Sequence, residues 1–433
     1  MMDRRDFLKG TLAVSAATAL MPARSATSGW LRDVPLFKWI DIPNSQLTSY
    51  FADGKGLNPA YLAELGIAIP TKSAPMVRWG ANKHGISSRN SQWSWSHHHQ
   101  SFGGMGLDSG RYSGRPSNLL IGGGDAHWAD NTVARFVFGV DTPHWEVAVL
   151  GCHQRDYKNE VPGKDTLGIG DDPRYYRMYD GSDRGGHTYF GLWCIEQRNW
   201  HCRFGTHQYW PVDYGYSQTV SIGDLKTKRW LSNELIADWS KWRMGAETPW
   251  KGKHPITEDV YCLLGESLGI WRQANNTWDV VPLRNAQWAL DDACGGINWQ
   301  DNYSLFASQD GAIGGKNLWW VWEDGVKVDV NLIGPDADVV RDSGARWVAL
   351  EWNPDLRRFL FYRDDAIVYV LERVDTVTFN VSRLKLTGTV SPAGEAAHLR
   401  AGGVLNNWQY VPQLKGMIYR VDDRKSMKFF RTG

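Results

Sequence analysis

Three imidazoles and two indoles crowd into one short segment, Trp93-Ser94-Trp95-Ser96-His97-His98-His99-Gln100-Ser101-Phe102-Gly103-Gly104. In an extended chain successive side chains alternate sides, so His97 and His99 would share a face and His98 would take the other. With His127 from the turn that follows, His97 and His99 could supply three neutral imidazoles, a donor set suited to one copper or zinc ion. The competing reading is a polar loop whose histidines bond to backbone.

A second set lies further along. Arg184 precedes the glycine pair Gly185-Gly186, and His187-Thr188-Tyr189 follows it. Eliminative cleavage of an acidic polysaccharide needs a cation to neutralise the uronate carboxylate, a base for the adjacent proton and an acid for the leaving oxygen. Arg184, His187 and Tyr189 are those residue types, with His127 as a further base; Arg203, His207 and Tyr209 repeat the pattern. Trp128, Tyr209, Trp210 and Arg203 are the substrate-binding residues expected beside them, since exposed aromatic rings stack on sugar faces. The structural alternative makes the same histidine a tie between neighbouring turns and the same rings core. Neither a phosphate-cradling glycine loop, nor a nucleophile elbow, nor an HExxH segment is present, which leaves nucleotide hydrolysis and serine-hydrolase chemistry without support.

The N-terminus says where this chemistry would be done. Asp3-Arg4-Arg5-Asp6-Phe7-Leu8-Lys9, an apolar run from Thr11 to Leu20 and the small-residue stretch Ala23-Arg24-Ser25-Ala26 resemble a twin-arginine (Tat) leader, the address of a translocase that carries folded proteins. Residues 1–26 are therefore expected to be the leader and residues 27–433 one domain, periplasmic or secreted, with the Tat translocase as a partner during export. The apolar run falls short of the roughly 20 residues a bilayer span requires, and no later segment reaches it. Lys plus Arg number 48 against 47 Asp plus Glu, so no net field favours nucleic acid or anionic lipid. Cys152, Cys194, Cys202, Cys262 and Cys294 lack zinc-type spacing. In an oxidising compartment the count accommodates one or two disulfides, with at least one thiol left over.

What must position these residues is an aromatic-rich β-protein: 24 Trp and 45 Gly occur with few helical stripes. Gly344 to Tyr362 aligns without gaps on Gly402 to Arg420, at an offset near the kelch period of about 50 residues. Each copy reads as strand, turn (Asn353-Pro354 or Val411-Pro412) and second strand. A Thr-containing turn entering a Trp-bearing strand recurs at Thr142 to Trp145, Thr227 to Trp230 and Thr277-Trp278, marking outer strands of successive blades. The first two markers are the more widely spaced, so an insertion, read as a long surface loop, lies between Cys152 and Tyr179. Blades are expected near 75–148, 186–232, 245–283, 296–333, 344–381 and 400–433. Pro35 to Ile40 should complete the last, which removes an exposed sheet edge. That makes six blades, or seven if the first segment holds two.

The chain resembles the kelch-type, galactose-oxidase-like β-propellers of bacteria. Gly122-Gly123-Gly124-Asp125-Ala126-His127-Trp128-Ala129-Asp130-Asn131, followed by an apolar strand, is similar to that family's Gly-Gly-Gly-His-Ala turn, with Asp125 at the usual histidine; Asp180-Gly181 with His187-Thr188-Tyr189 is similar to a second element. The resemblance implies a single six- or seven-bladed all-β propeller closed by strands from both termini. It does not place galactose oxidase's copper ligands on this chain. Propeller ulvan lyases use a His, Tyr and Arg set like the one above. The function expected is binding, with lyase-type cleavage, of an acidic polysaccharide or related extracellular glycan; the alternatives are a copper or zinc oxidoreductase using the histidine cluster and a non-catalytic interaction propeller.

Overall fold

The computed structural model describes residues 29–46, 104–122, 133–149, 191–204, 220–231, 250–263, 267–283, 293–309, 317–343, 348–363, 365–388, 404–420 and 425–433. Their strands form six small sheets, each a meander whose consecutive strands are antiparallel. Blade 1 comprises β2 (Gly106–Asp108), β3 (Asn118–Gly122), β4 (Val133–Val137) and β5 (His144–Val149). Blade 2 comprises β6 (Leu192–Ile195), β7 (Trp200–Phe204), β8 (Val220–Asp224) and β9 (Arg229–Leu231). Blade 3 is β10 (Lys251–Lys253), β11 (Val260–Leu263), β12 (Ser267–Arg272) and β13 (Thr277–Pro282), and blade 4 is β14 (Ala293–Asn298), β15 (Tyr303–Gln309), β16 (Asn317–Glu323) and β17 (Val326–Asp329). Blade 5 runs through β19 (Ala349–Asn353), β20 (Arg358–Tyr362), β21 (Val368–Arg373) and β22 (Thr378–Arg383), and blade 6 through β23 (Trp408–Val411), β24 (Gly416–Tyr419) and β25 (Lys428–Arg431). Among the described residues helix is confined to one five-residue α-helix, Ala337–Arg341, and short 3-10 turns. The fold is a six-bladed β-propeller.

The two aligned repeats occupy the first and second strands of blades 5 and 6, with their turns at the expected dipeptides. All three Thr-to-Trp markers enter fourth strands, β5, β9 and β13. Ring closure also follows the expectation: β1 (Ile40–Asp41) adds to blade 6 by pairing Ile40 with Phe429 and Asp41 with Lys428. Trp39, 3 % exposed, anchors this clasp against Phe430, Trp408 and Tyr362 at ring separations of 4.7, 6.0 and 6.4 Å. One expected boundary is corrected. β18 (Asn331–Ile333) does not end blade 4 but crosses to pair in parallel with β22, giving blade 5 a fifth strand.

Apolar side chains on both sheet faces explain why blades stack rather than stand alone. Separate clusters fill the gaps between blades 1 and 2 (Leu120, Val149, Cys194, Trp230), 2 and 3 (Cys202, Ile222, Cys262, Trp271), 5 and 6 (Tyr362, Trp408, Tyr419) and 6 and 1 (Phe136, Trp145, Ile418, Phe429), while one large cluster spans blades 3 to 5. Where a side chain of one blade packs onto the backbone of the next, glycine makes the room: a Cβ on Gly223 would lie 2.7 Å from a methyl of Val149 in blade 1.

Candidate functional site

Antiparallel meanders sort the connections by face. Taking the start of each first strand as the upper end, the first-to-second and third-to-fourth turns lie on the lower face. The second-to-third and fourth-to-first connections leave and return on the upper face. The strand ends that flank every sequence-derived candidate except Arg203 are upper ones. His97 and His99 fall between β1 and β2, His127 and Trp128 between β3 and β4, Arg184, His187 and Tyr189 between β5 and β6, and Tyr209 and Trp210 between β7 and β8. These nine residues lie outside the described residues, as does Cys152. Arg203 is described: it sits within β7, 1 % exposed, its guanidinium 6.0 Å from the Trp230 ring, enclosed between blades rather than offered at the surface. Among the described residues no cluster of three His, Cys, Asp or Glu forms a metal-ligand set.

At the upper end the inner strands are tied across blades. Asn406, 4 % exposed and just ahead of β23, donates through Nδ2 to the carbonyls of Met105 (2.7 Å) and Leu192 (3.0 Å), which begin blades 1 and 2. The Tyr410 N–H donates to the Glu351 carboxyl of the neighbouring inner strand; burial nevertheless dominates and pushes Glu351 up to about 8, so it is largely protonated at neutral pH.

On the lower face the described connections exchange their polar groups from blade to blade. Glu258, in the turn of blade 3, accepts the N–H groups of Glu196 and Gln197 in blade 2, both at 2.8 Å. Glu196 in turn accepts those of Ser109 (2.7 Å) and Tyr112 (3.1 Å) in blade 1. Lys253 Nζ lies 3.3 Å from Glu258 and 3.7 Å from Glu196 and donates to the Cys194 carbonyl at 2.7 Å. Burial opposes the ammonium charge, but the two carboxylates outweigh it and hold Lys253 above its ordinary pKa. On the other side of the ring, Trp352 Nε1 donates to Gln300 Oε1 at 3.1 Å, and the Tyr410 hydroxyl donates to Asp355 at 2.8 Å. Sequence reasoning missed this carboxylate relay, whose only linear signal is a glutamate in the first turn of blades 2 and 3.

A cleft of about 690 Å³ opens on this lower face between blades 4 and 5. Its charged groups are already matched. Arg373 makes a two-pronged contact with Glu323 (3.1 and 2.7 Å) and lies 4.3 Å from the Tyr303 ring, Arg358 donates to Glu372 at 2.7 Å, and Arg357 donates to Asp301 at 3.0 Å. Such a cleft stitches two blades together and leaves no guanidinium for an incoming anion.

Residues 1–21 match the TAT (twin-arginine translocation) pathway signal sequence. The protein is an exported β-propeller. The leader directs it across the membrane to the periplasm or beyond, with the Tat translocase as its carrier, and no helix among the described residues is long and apolar enough to cross a membrane. No curated protein matches the chain. Among solved structures, it is similar to that of U3-55K (9 % identity, 76 % of this chain and 79 % of that one, TM-score 0.37) and to the RRP9 WD40 repeats (9 %, 76 % and 78 %, TM-score 0.36). It is also similar to an auxiliary nutrient binding protein from Bacteroides thetaiotaomicron (9 % identity, 76 % of this chain and 69 % of that one, TM-score 0.39).

Proposed function

We propose that this exported propeller binds an acidic extracellular glycan across its upper face. The observation that carries the reading is the division of labour between faces. Lower turns such as residues 196–199 and 354–357 are tight and spend their polar groups within and between blades, whereas the connections holding the candidate imidazoles, indoles, phenols and Arg184 all depart from upper strand ends, in spans as long as residues 150–191. Long connections on a rigid scaffold are where binding residues concentrate. The matched charges of the blade 4–5 cleft favour the upper face further, because a polyanion needs unpaired cations. The kelch-type, galactose-oxidase-like affiliation belongs to the same proposal and rests on the Gly122 to Asn131 turn.

In this reading Trp128, Tyr209 and Trp210 stack on sugar rings and Arg184 neutralises a uronate carboxylate. His187, or His127, takes the proton beside that carboxylate and Tyr189 protonates the departing oxygen, the arrangement of an eliminative lyase. The test is incubation of the protein from periplasmic extracts with uronate-containing polysaccharides, followed by affinity electrophoresis for binding and by near-ultraviolet absorbance for unsaturated products. His187→Ala and His127→Ala should lose binding or cleavage at unchanged melting temperature. A His187→Ala protein that melts far lower yet keeps its binding would mean the histidine is a blade tie, and the assignment would fall. One equivalent of copper or zinc in the purified protein would instead support a metal centre built on His97, His99 and His127.

A further inference from the structure

Four cysteines sit in the blades as free thiols, each 0 % exposed: Cys194 in β6, Cys202 in β7, Cys262 in β11 and Cys294 in β14. No disulfide joins them in this fold: Cys202 and Cys262 share the blade 2–3 cluster, yet both are free thiols. Cys194 pairs across its hairpin with His201, and Cys202 with Trp193. Directly opposite residues share a sheet face and successive ones alternate, so the two sulfurs point to opposite sides of blade 2. Cys194 accordingly packs with Leu120 and Val149 of blade 1, whereas Cys202 packs with Val260 and Trp271 of blade 3. Bridging them would require a one-residue slip of register, which moves every side chain of the strand to the opposite face of the blade and into the wrong inter-blade core. Cys294 belongs to a separate cluster, with Phe306 and Trp320.

These thiols nonetheless belong to a protein that works where thiols are oxidised. We infer that the blade cysteines make cytoplasmic folding obligatory, and that the folded-protein export route serves this chain by delivering Cys194, Cys202, Cys262 and Cys294 already sealed in the blade interfaces. The chemistry is thiol–disulfide exchange. A cysteine thiolate of an unfolded chain attacks the disulfide of a periplasmic thiol oxidase, forming a mixed disulfide, and a second cysteine displaces the oxidase. The chain keeps a new disulfide, and two protons and two electrons leave with the oxidase as its dithiol. Every such bond among the four is non-native and traps the chain. In the fold the same reaction is blocked twice over, because no sulfur is accessible and burial pushes all four thiols upward, away from the reactive thiolate.

The experiment compares residues 27–433 exported behind their own leader with the same residues behind a leader that threads unfolded chains, in hosts with and without the periplasmic thiol oxidase. A chain with all five cysteines replaced by alanine, first shown by near-ultraviolet circular dichroism to fold when sent behind its own leader, forms a third arm. Behind its own leader the protein should be soluble, with these four thiols alkylated only after denaturation. Threaded unfolded, soluble protein should be lost to disulfide-linked species on non-reducing gels and recovered when the oxidase is absent or the cysteines are gone. The oxidase-free arm needs no substitution, so failure of the cysteine-free chain to fold leaves the test intact. The inference is overturned if the threaded wild-type chain accumulates folded with free thiols, or if its loss persists without the oxidase.

Discussion

Replacing His201 with leucine should change the acid stability of the propeller in a way the structure sets numerically. His201 lies in β7, 0 % exposed, with neither ring nitrogen hydrogen-bonded and the Trp230 ring edge-on at 6.3 Å. Burial lowers it to about 3, against an ordinary 6.5, so the folded protein holds it neutral. A base depressed in the fold contributes stability that is fully present above the unfolded pKa of 6.5 and declines as pH falls below it, because only the unfolded chain takes up the proton. At pH 5 the gap is about 1.5 pH units, which at about 1.36 kcal/mol per unit costs the fold about 2 kcal/mol; at pH 4 the loss reaches about 3 kcal/mol. Glu351 acts in the opposite sense, since a carboxyl raised to about 8 loses stability as pH rises from about 4.5 to 8. The difference between wild type and variant therefore isolates the histidine. Urea unfolding followed by tryptophan fluorescence should show His201→Leu at least as stable as wild type at pH 7, since two unpartnered nitrogens have been removed, and ahead by about 2 kcal/mol more at pH 5. Parallel stability curves between pH 7 and pH 5 would refute the reasoning and mean that His201 is protonated, or hydrated, inside the fold.

Lys253→Met should destabilise the protein by about 3–5 kcal/mol in the same unfolding assay, because Glu196 and Glu258 stay buried without their cation; a neutral outcome would mean both carboxyls are protonated in the fold. Trp39→Ala removes the indole that clasps the N-terminal strand to blade 6 and should cost about 3–5 kcal/mol, with limited proteolysis releasing the N-terminus first. Arg357 holds a left-handed backbone at φ 53° while its side chain reaches Asp301. Arg357→Gly should relieve about 1 kcal/mol of that strain and lose an exposed ion pair worth about 0.2–1 kcal/mol, leaving the midpoint nearly unmoved, whereas Arg357→Ala should destabilise.

What was legible in the sequence is what packing writes periodically into it. The bulky strands flanking Asn353-Pro354 and Val411-Pro412 recur because neighbouring blades face the same interface, and Trp145, Trp230 and Trp278 mark fourth strands because an outer strand needs a large ring to cover its blade. Asn331-Leu332-Ile333 read as the tail of blade 4 because it follows β17 directly in sequence, and its one buried side chain, Leu332, does not announce the parallel partner in β22. Arg203 read as a ligand-binding cation since an isolated arginine among aromatic residues carries no mark of burial; only the stacking of blade 2 on blade 1 encloses it. The Lys253 relay escaped for the same reason, its charges lying in blades 2 and 3 and the N–H groups it serves reaching into blade 1.

The two faces follow from one economy of backbone groups. The orphan N–H groups of a lower connection need acceptors, and in blades 1 and 2 they take a carboxylate from the next blade, as Glu258 does for Glu196 and Gln197 and Glu196 does for Ser109 and Tyr112. Those carboxylates are thereby withdrawn from chemistry, and the arginines of the blade 4–5 cleft are withdrawn with theirs. A polar group free to meet a ligand has to come from a connection that is not holding blades together. On the proposed reading those groups come from the upper connections, so His187→Ala is the variant expected to separate binding from stability, whereas Lys253→Met, at a residue that ties blades 2 and 3, is not.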